Sequence, residues 1–247
     1  MPLFLKLQRQ EAARAAAAVG EYIDAVERGA LPARVFMHPL ASGLMLDVVG
    51  APAAARTAVA ARVAAASSVA IEVCAGNGEW IAARAAAGPP GDLWIALEMR
   101  HDRALAICAR AAMARADNVL VLRGEARAAF RDCLPAACAR AVYVNFPNPP
   151  LWSGSRSRLV AEPFLREAAR ALRRGGTLTI VTDNAEYAAL IAVDVGAARD
   201  VFDTAPAAGG RVFTNDVPTD YGSSYFDRFW TNGDRASRYF CELTRRR

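Results

Sequence analysis

From Val69 onward, apolar runs of five or six residues alternate with longer stretches rich in alanine and arginine. The short runs have the length and β-branched character of buried strands, and the longer stretches carry helical spacing of apolar positions. The alternation predicts strands at 69–74, 93–98, 118–122, 141–146 and 177–182, with helices at 78–87, 102–116, 125–133, 157–173 and 185–198 between and after them. Gly175-Gly176 marks the end of the helix at 157–173, just before the last of these strands. Strands and helices in strict alternation imply an α/β architecture, a mostly parallel sheet with helices on both faces and right-handed crossovers. From Phe213 to Arg247 the aromatic residues Tyr225, Phe226, Phe229, Trp230, Tyr239 and Phe240 lack helical spacing, which predicts a terminal antiparallel hairpin.

Residues 1–66 follow a different pattern. Arg9 to Arg28 reads as an Ala-rich helix stopped by Gly29 and Pro32. Residues 34–37 and 44–49, separated by a Pro/Ser/Gly turn, read as a hairpin, and Pro52 to Ala66 as a second helix. The expected organisation is an N-terminal helix and hairpin cap, 1–66, beside a main domain, 67–247. The apolar stripe of the first helix has two places to go, the chain's own main domain or a second copy in a homodimer.

Composition narrows the class. With 247 residues and 54% hydrophobic content, the chain can bury one large core. No apolar run reaches membrane-spanning length, and the N-terminus is charged too soon for a secretion signal. Five scattered cysteines without a Cys-x-x-Cys pair and two distant histidines suggest neither a disulfide framework nor a zinc site, so a reducing, cytoplasmic location is expected. The net charge of +5 permits an acidic partner, but the arginines are spread along helices and Lys6 is the only lysine.

Candidate chemistry begins where the first strand of the alternating region ends, in Glu72-Val73-Cys74-Ala75-Gly76-Asn77-Gly78. Glycines at 76 and 78 let the backbone turn sharply and approach a ligand. Glu98 closes the next strand, 20 residues beyond Gly78, where a carboxylate can accept both hydroxyls of a ribose. Glu125, after the third strand, is placed to reach an adenine or, alternatively, to serve as a helix N-terminal charge. A dinucleotide loop carries a third glycine where Ile81 stands, and Glu72 would repel a pyrophosphate. The acidic set Glu72, Glu98 and Glu125 suits S-adenosyl-L-methionine, which has an ammonium and a sulfonium and no phosphate.

Beyond the fourth strand runs Phe146-Pro147-Asn148-Pro149-Pro150-Leu151-Trp152. Its three prolines neither extend a strand nor start a helix, so the chain leaves the sheet as a stiff turn displaying Asn148 and Trp152. Asp183 ends the fifth strand and reads either as a carboxylate facing substrate or as a helix N-cap.

These motifs, in order, resemble the tRNA (guanine-N7) methyltransferases, a class I S-adenosylmethionine-dependent family. Glu72 to Gly78 is similar to the family's E-I-G-F-G-N-G, Ala96-Leu97-Glu98 to G-I-E, and Phe146-Pro147-Asn148-Pro149 to F-P-D-P. Arg158-Leu159-Val160 resembles R-R-L-V, Thr182-Asp183-Asn184 with Glu186-Tyr187-Ala188 resembles T-D-W-x-x-Y-A, and Ser224-Tyr225-Phe226-Asp227-Arg228 resembles T-K-F-E-x-R-G. The resemblance implies a Rossmann-like, mostly parallel seven-stranded sheet with a C-terminal antiparallel hairpin. It implies cofactor contacts from Glu72, Cys74, Gly76, Gly78, Glu98, Glu125 and Asn145, and no metal. It places Asn148 and Asp183 in catalysis and Pro149, Trp152, Ser224, Tyr225 and Asp227 at the substrate.

The chain departs from that pattern at Cys74 for a glycine, Asn148 for an aspartate, Phe226 for a glutamate, and a basic stretch reduced to Ser153-Gly154-Ser155-Arg156-Ser157-Arg158. Asn148-Pro149-Pro150 also resembles the N-P-P-[YFW] motif of amino-methyltransferases, with Leu151-Trp152 in place of the single aromatic. There the asparagine carbonyl orients a planar nitrogen. The reading these departures favour is N-methylation of a ring nitrogen of a purine-like or other nitrogen heterocycle, as a free small molecule rather than RNA. The alternatives are a divergent tRNA (guanine-N7) methyltransferase, or a non-catalytic cofactor- or RNA-binding subunit.

Overall fold

The computed structural model describes residues 3–31, 44–49, 52–150, 158–204, 211–222 and 238–247. Eight strands form one sheet: β1 (Met45–Asp47), β2 (Ser68–Val73), β3 (Asp92–Glu98), β4 (Val119–Arg123), β5 (Ala139–Asn145), β6 (Leu172–Thr182), β7 (Phe202–Thr204) and β8 (Tyr239–Arg245). Their spatial order is β1-β4-β3-β2-β5-β6-β8-β7. Pairings from β1 through β6 are parallel, whereas β8 runs antiparallel to both β6 and β7. The helices are α1 (Leu3–Glu27), α2 (Pro52–Ala65), α3 (Glu79–Ala87), α4 (His101–Met113), α5 (Ala126–Asp132), α6 (Glu162–Ala171) and α7 (Ala185–Ala197).

The strands' alternation sorts their side chains onto two cores. Val69, Ile71, Val73, Leu93, Ile95 and Leu97 face a cluster completed by α2, α5, α6 and α7. Ala70, Trp94 and Ala96 face the opposite cluster, with Trp80, Ile81, Ile107 and Tyr22 from α3, α4 and α1. Both faces are covered, which is why β3 is buried along its whole length.

Four features depart from the sequence expectation. The segment expected as the second strand of an N-terminal hairpin instead pairs in parallel with β4, Met45 opposite Val121 and Asp47 opposite Arg123, and so lengthens the main sheet to eight strands. Its anchor is an ion pair between Asp47 and Arg123. Residues 34–37, the other half of that hairpin, lie outside the described residues. Helix α6 begins at Glu162 rather than 157 because Pro163, lacking an N–H, fits only the first turn. The Gly175-Gly176 pair lies inside β6, where the register with β5 shifts between Ala139 and Ala141. A Cβ at Gly176 would stand 2.9 Å from the carbonyl oxygens of Arg140 and Arg173, so only glycine permits that close crossing. The C-terminal antiparallel strands are β7 and β8, but β7 ends at Thr204, upstream of the Phe213–Arg247 span in which the hairpin is expected, and β8 also pairs with β6.

Helix α1 packs within its own chain. Its Ala15 and Ala18 close on Ala106 of α4, so small side chains let the two helices approach. The sheet order reverses at β2, which has β3 on one side and β5 on the other. A crevice at the carboxyl ends of strands flanking such a reversal is the ligand site of open α/β sheets.

Candidate active site

The loops after β2 and β5 leave the sheet side by side, and each starts with a non-glycine residue in the left-handed region, Cys74 at φ 61° and Phe146 at φ 48°. That conformation costs about 1–2 kcal/mol for an L-residue and persists where surrounding structure enforces it. The Phe146 N–H is tied to the Val181 carbonyl at 2.8 Å, which locks the Pro-rich turn to the end of β6. Position 74 is where the resembling family has glycine, and the backbone here explains that preference. Cys74→Gly should therefore be tolerated, with cofactor affinity by calorimetry within about threefold of wild type, the relieved left-handed strain offsetting the lost side-chain contacts. Burial, with Glu98 and Glu72 nearby, pushes the Cys74 thiol well above its ordinary range, so it stays neutral.

Between these loops lies a cleft of about 40 Å³ lined by Glu11, Glu72, Asn77, Glu79, Asn145 and Phe146, with Cys74, Ala75, Gly76 and Trp80. Among the described residues the lining holds three carboxylates and no cation, with Arg103 paired to Glu11 and Arg14 and Arg110 to Glu79 just outside it. Glu72 is 2% exposed; its Oε1 accepts from Asn145 Nδ2 at 2.8 Å, and its Oε2 has no partner among the described residues. Burial dominates and pushes its pKa up to about 8, against the lowering Asn145 hydrogen bond and with a further push from Glu98. Asn145 is fixed in turn, because the Tyr221 hydroxyl donates to its Oδ1 at 2.6 Å. Tyr221 is held by Trp80, whose Nε1 donates to the Tyr221 carbonyl at 2.7 Å and whose ring lies 5.4 Å from the tyrosine ring. Tyr221→Phe should leave Asn145 unanchored and weaken cofactor binding by about five- to tenfold, the scale of one buried hydrogen bond. An unchanged Kd by calorimetry would show that the relay does not support the site.

The glycines do separate jobs. At Gly76, φ 55°, an added Cβ meets nothing nearer than the Cys74 carbonyl at 4.0 Å. The space before it is open to a ligand, and its N–H donates to Glu98 Oε2 at 3.0 Å. At Gly78, the N-cap of α3 with φ 79°, an added Cβ would stand 2.8 Å from Ile107 Cα. Glu98 is buried at the end of β3, its other oxygen accepting from the Arg100 N–H at 2.9 Å. Burial raises its pKa, against the lowering influence of the Arg100 N–H, the Arg103 guanidinium and the Gly76 N–H.

Glu125 is the N-cap of α5, accepting from the Ala128 N–H at 2.9 Å and pairing with Arg127 at 3.0 Å. It is not among the residues lining the Glu72 cleft. Burial raises its pKa, but the Arg127 and Ala128 hydrogen bonds outweigh that and hold it below the usual range. In α7 the N-cap is Asn184, which accepts from the Tyr187 N–H at 2.7 Å, rather than its neighbour Asp183. Asp183 is half-buried at the end of β6, next to β5 and its turn. Asn148 is exposed and Pro149 half-buried on that turn. Trp152, Ser224, Tyr225 and Asp227 lie outside the described residues, as do Phe229 and Trp230. Arg158, counted with the reduced basic stretch, is engaged with Asp194 at 2.6 Å.

Nothing local in the chain marks Glu11, Trp80 or Tyr221 as site residues. Glu11 stands in an Ala-rich helix with no motif around it, and its contact with Asn77 spans 66 positions. Tyr221 meets Asn145 across 76.

The orphaned Glu72 oxygen, the cation-free lining and the open approach at Gly76 fit the positively charged methionine end of S-adenosylmethionine. Comparison with known proteins agrees. The profile of a family described as putative methyltransferase matches residues 66–208. The chain is 30% identical over 174 residues to the tRNA (guanine-N(7)-)-methyltransferase of Chlamydia muridarum, covering 70% of this chain and 74% of the relative. It is 31% identical to the enzyme of the same name from Chlamydia trachomatis, covering 69% and 72%. Among solved structures, the 16S rRNA methyltransferase KamB superposes with a TM-score of 0.55 at 16% identity, covering 77% of this chain and 94% of that one, a likeness of fold.

These relatives correct the expectation of a free small-molecule heterocycle, because every one of them named above with clear sequence identity carries a tRNA-directed name. An asparagine at 148 does not require a target nitrogen bearing N–H groups. Guanine N7 is an acceptor with no proton to remove, so a neutral amide at 148 is no obstacle to it. The chain belongs to the S-adenosylmethionine-dependent methyltransferase family that includes the tRNA (guanine-N(7)-)-methyltransferases.

Proposed function

We propose that the protein methylates N7 of a guanine in tRNA, in the cytoplasm. What supports this reading above all is identity of about 30% to enzymes of that name across 70% of the chain, with the family profile at residues 66–208 spanning the glycine loop and the Pro-rich turn. S-adenosylmethionine, when bound, supplies an electrophilic methyl group on a sulfonium. Glu72 and Asn145 hold the cofactor's cationic end, Gly76 lets the backbone approach it, and Glu98 takes the ribose hydroxyls. Cys74 and Gly78 shape the loop that carries these contacts, and Glu125 is assigned to the adenine side.

In this reading the enzyme's task is alignment. N7 presents an in-plane lone pair, and the neighbouring O6 is also an acceptor. The Asn148 amide N–H donates to O6 and turns N7 toward the methyl group. It stays neutral and removes no proton. Methylation leaves the ring cationic, and the Asp183 carboxylate offsets that charge as it develops. Pro149 stiffens the turn, and Trp152, Ser224, Tyr225 and Asp227 are assigned to the substrate by the family resemblance alone.

The test is incubation with methyl-labelled S-adenosylmethionine and unmethylated bulk tRNA, followed by digestion to nucleosides. Label in 7-methylguanosine is the expected result; label in another nucleoside, or none in tRNA, would overturn the reading. In the same assay Asn148→Ala should lower kcat about 100-fold, with cofactor Kd within about threefold, as expected for a positioning group. Equal losses in both would make Asn148 a cofactor or structural residue instead.

A further inference from the structure

Helix α1 brings a carboxylate into the cofactor cleft from outside the alternating α/β region. Glu11 is 3% exposed and lines the cleft with Glu72 and Asn77. Its Oε2 lies 3.5 Å from Arg103 Nη2 and 3.5 Å from Asn77 Nδ2, and its backbone carbonyl accepts from Asn77 Nδ2 at 3.4 Å. Contacts over about two turns fix the helix there, because Arg14 also bonds Glu79 at 2.8 Å and Ala15 and Ala18 pack on Ala106.

Three buried acceptor atoms of this one cleft have no partner among the described residues: Glu11 Oε1, Glu72 Oε2 and Asn77 Oδ1. Leaving buried polar atoms unpaired is costly, and such a group in a native fold points to a missing ligand. An ammonium offers three N–H donors and no acceptor. The α-ammonium of the cofactor's methionine moiety is therefore matched to the set in number, polarity and charge. We propose that Glu11 is a ligand of that ammonium, completing a three-oxygen cradle with Glu72 and Asn77, and that α1 is a clasp that cofactor binding tightens over the cleft.

The proposal rests on cofactor use and not on the tRNA reading, so it is tested by binding alone. Burial raises the Glu11 pKa against the pull of Arg103 and Arg14, so a further cation at its free oxygen would favour the carboxylate. The probes are S-adenosylhomocysteine, which keeps the ammonium and lacks the sulfonium, and 5′-methylthioadenosine, which lacks both. Glu11→Gln should weaken S-adenosylhomocysteine about tenfold in calorimetry, the scale of one hydrogen bond to a charged group, and leave 5′-methylthioadenosine within twofold. Equal losses for both probes, or no loss for S-adenosylhomocysteine, would overturn the assignment. In the wild-type protein S-adenosylhomocysteine should slow amide hydrogen exchange across residues 9–27 at least several-fold more than 5′-methylthioadenosine does. Equal protection by the two would remove the clasp, whether or not the variant folds.

Discussion

Glutamine at position 72 should weaken S-adenosylmethionine binding by about 100-fold, the scale of losing a buried charge-assisted contact, while making the ligand-free protein more stable at alkaline pH. In the free protein burial lifts the Glu72 carboxyl to about 8, so near neutrality it is largely protonated. Binding of a cationic cofactor selects the carboxylate and releases a proton. Calorimetry at pH 7 in buffers of different ionisation enthalpy should detect that proton in the wild type, and Glu72→Gln should lack the Glu72-dependent share. The variant also serves as the control for protons lost by the ligand's own amine.

The stability side has a defined sign. A carboxyl raised from 4.5 to about 8 on folding holds its proton in the native state across that window after the unfolded chain has lost it. Its contribution is fully present below 4.5 and is lost as pH rises through about 8. The Tm of Glu72→Gln minus that of the wild type should therefore grow from pH 5 to about 8 and then level off. A flat difference would place Glu72 in contact with water rather than buried.

Gly78→Ala should lower Tm by about 4–20 °C. A left-handed alanine costs about 1–2 kcal/mol, and a Cβ standing 2.8 Å from the Ile107 backbone adds an overpacking cost of about 1–3 kcal/mol. In a chain of this size each kcal/mol moves Tm by about 2–4 °C. Ile107 belongs to the middle of α4, so the obstacle is helix backbone and not the end of a flexible side chain. Gly76→Ala is the informative contrast, since its Cβ meets no protein atom inside 4.0 Å. It should cost about 1 kcal/mol of stability yet weaken the cofactor about tenfold or more if the backbone approach at Gly76 is where the ligand lies. A Gly78→Ala protein melting within 2 °C of wild type would mean that α3 and α4 can part without cost.

Much of the scaffold was legible because its signals are local. Strands β2 through β6 are short apolar runs, and each was placed within a few residues by periodicity except the start of β6. There the glycine pair reads as a helix stop, although the chain uses it to cross closely over β5. The loop from Glu72 to Gly78 and the acid at Glu98 were likewise visible, since a turn that needs glycines leaves them in sequence. Asn148 shows where a legible residue still misleads. Its identity is plain, but its meaning depends on whether the target nitrogen carries a proton, and no residue type states that.

The alternating α/β sheet, the glycine loop and the stiff proline turn are written in the residue order, because helix, strand and turn preferences act between neighbours. It takes the folded chain to show that β1 joins the sheet beside β4 and that Tyr221 fixes Asn145 against Glu72. The fold also brings Glu11 of α1 into the same cleft. Those contacts join residues far apart in the chain through alanine faces and single hydrogen bonds, and an Ala-rich helix carries no local mark of the surface that will bury it.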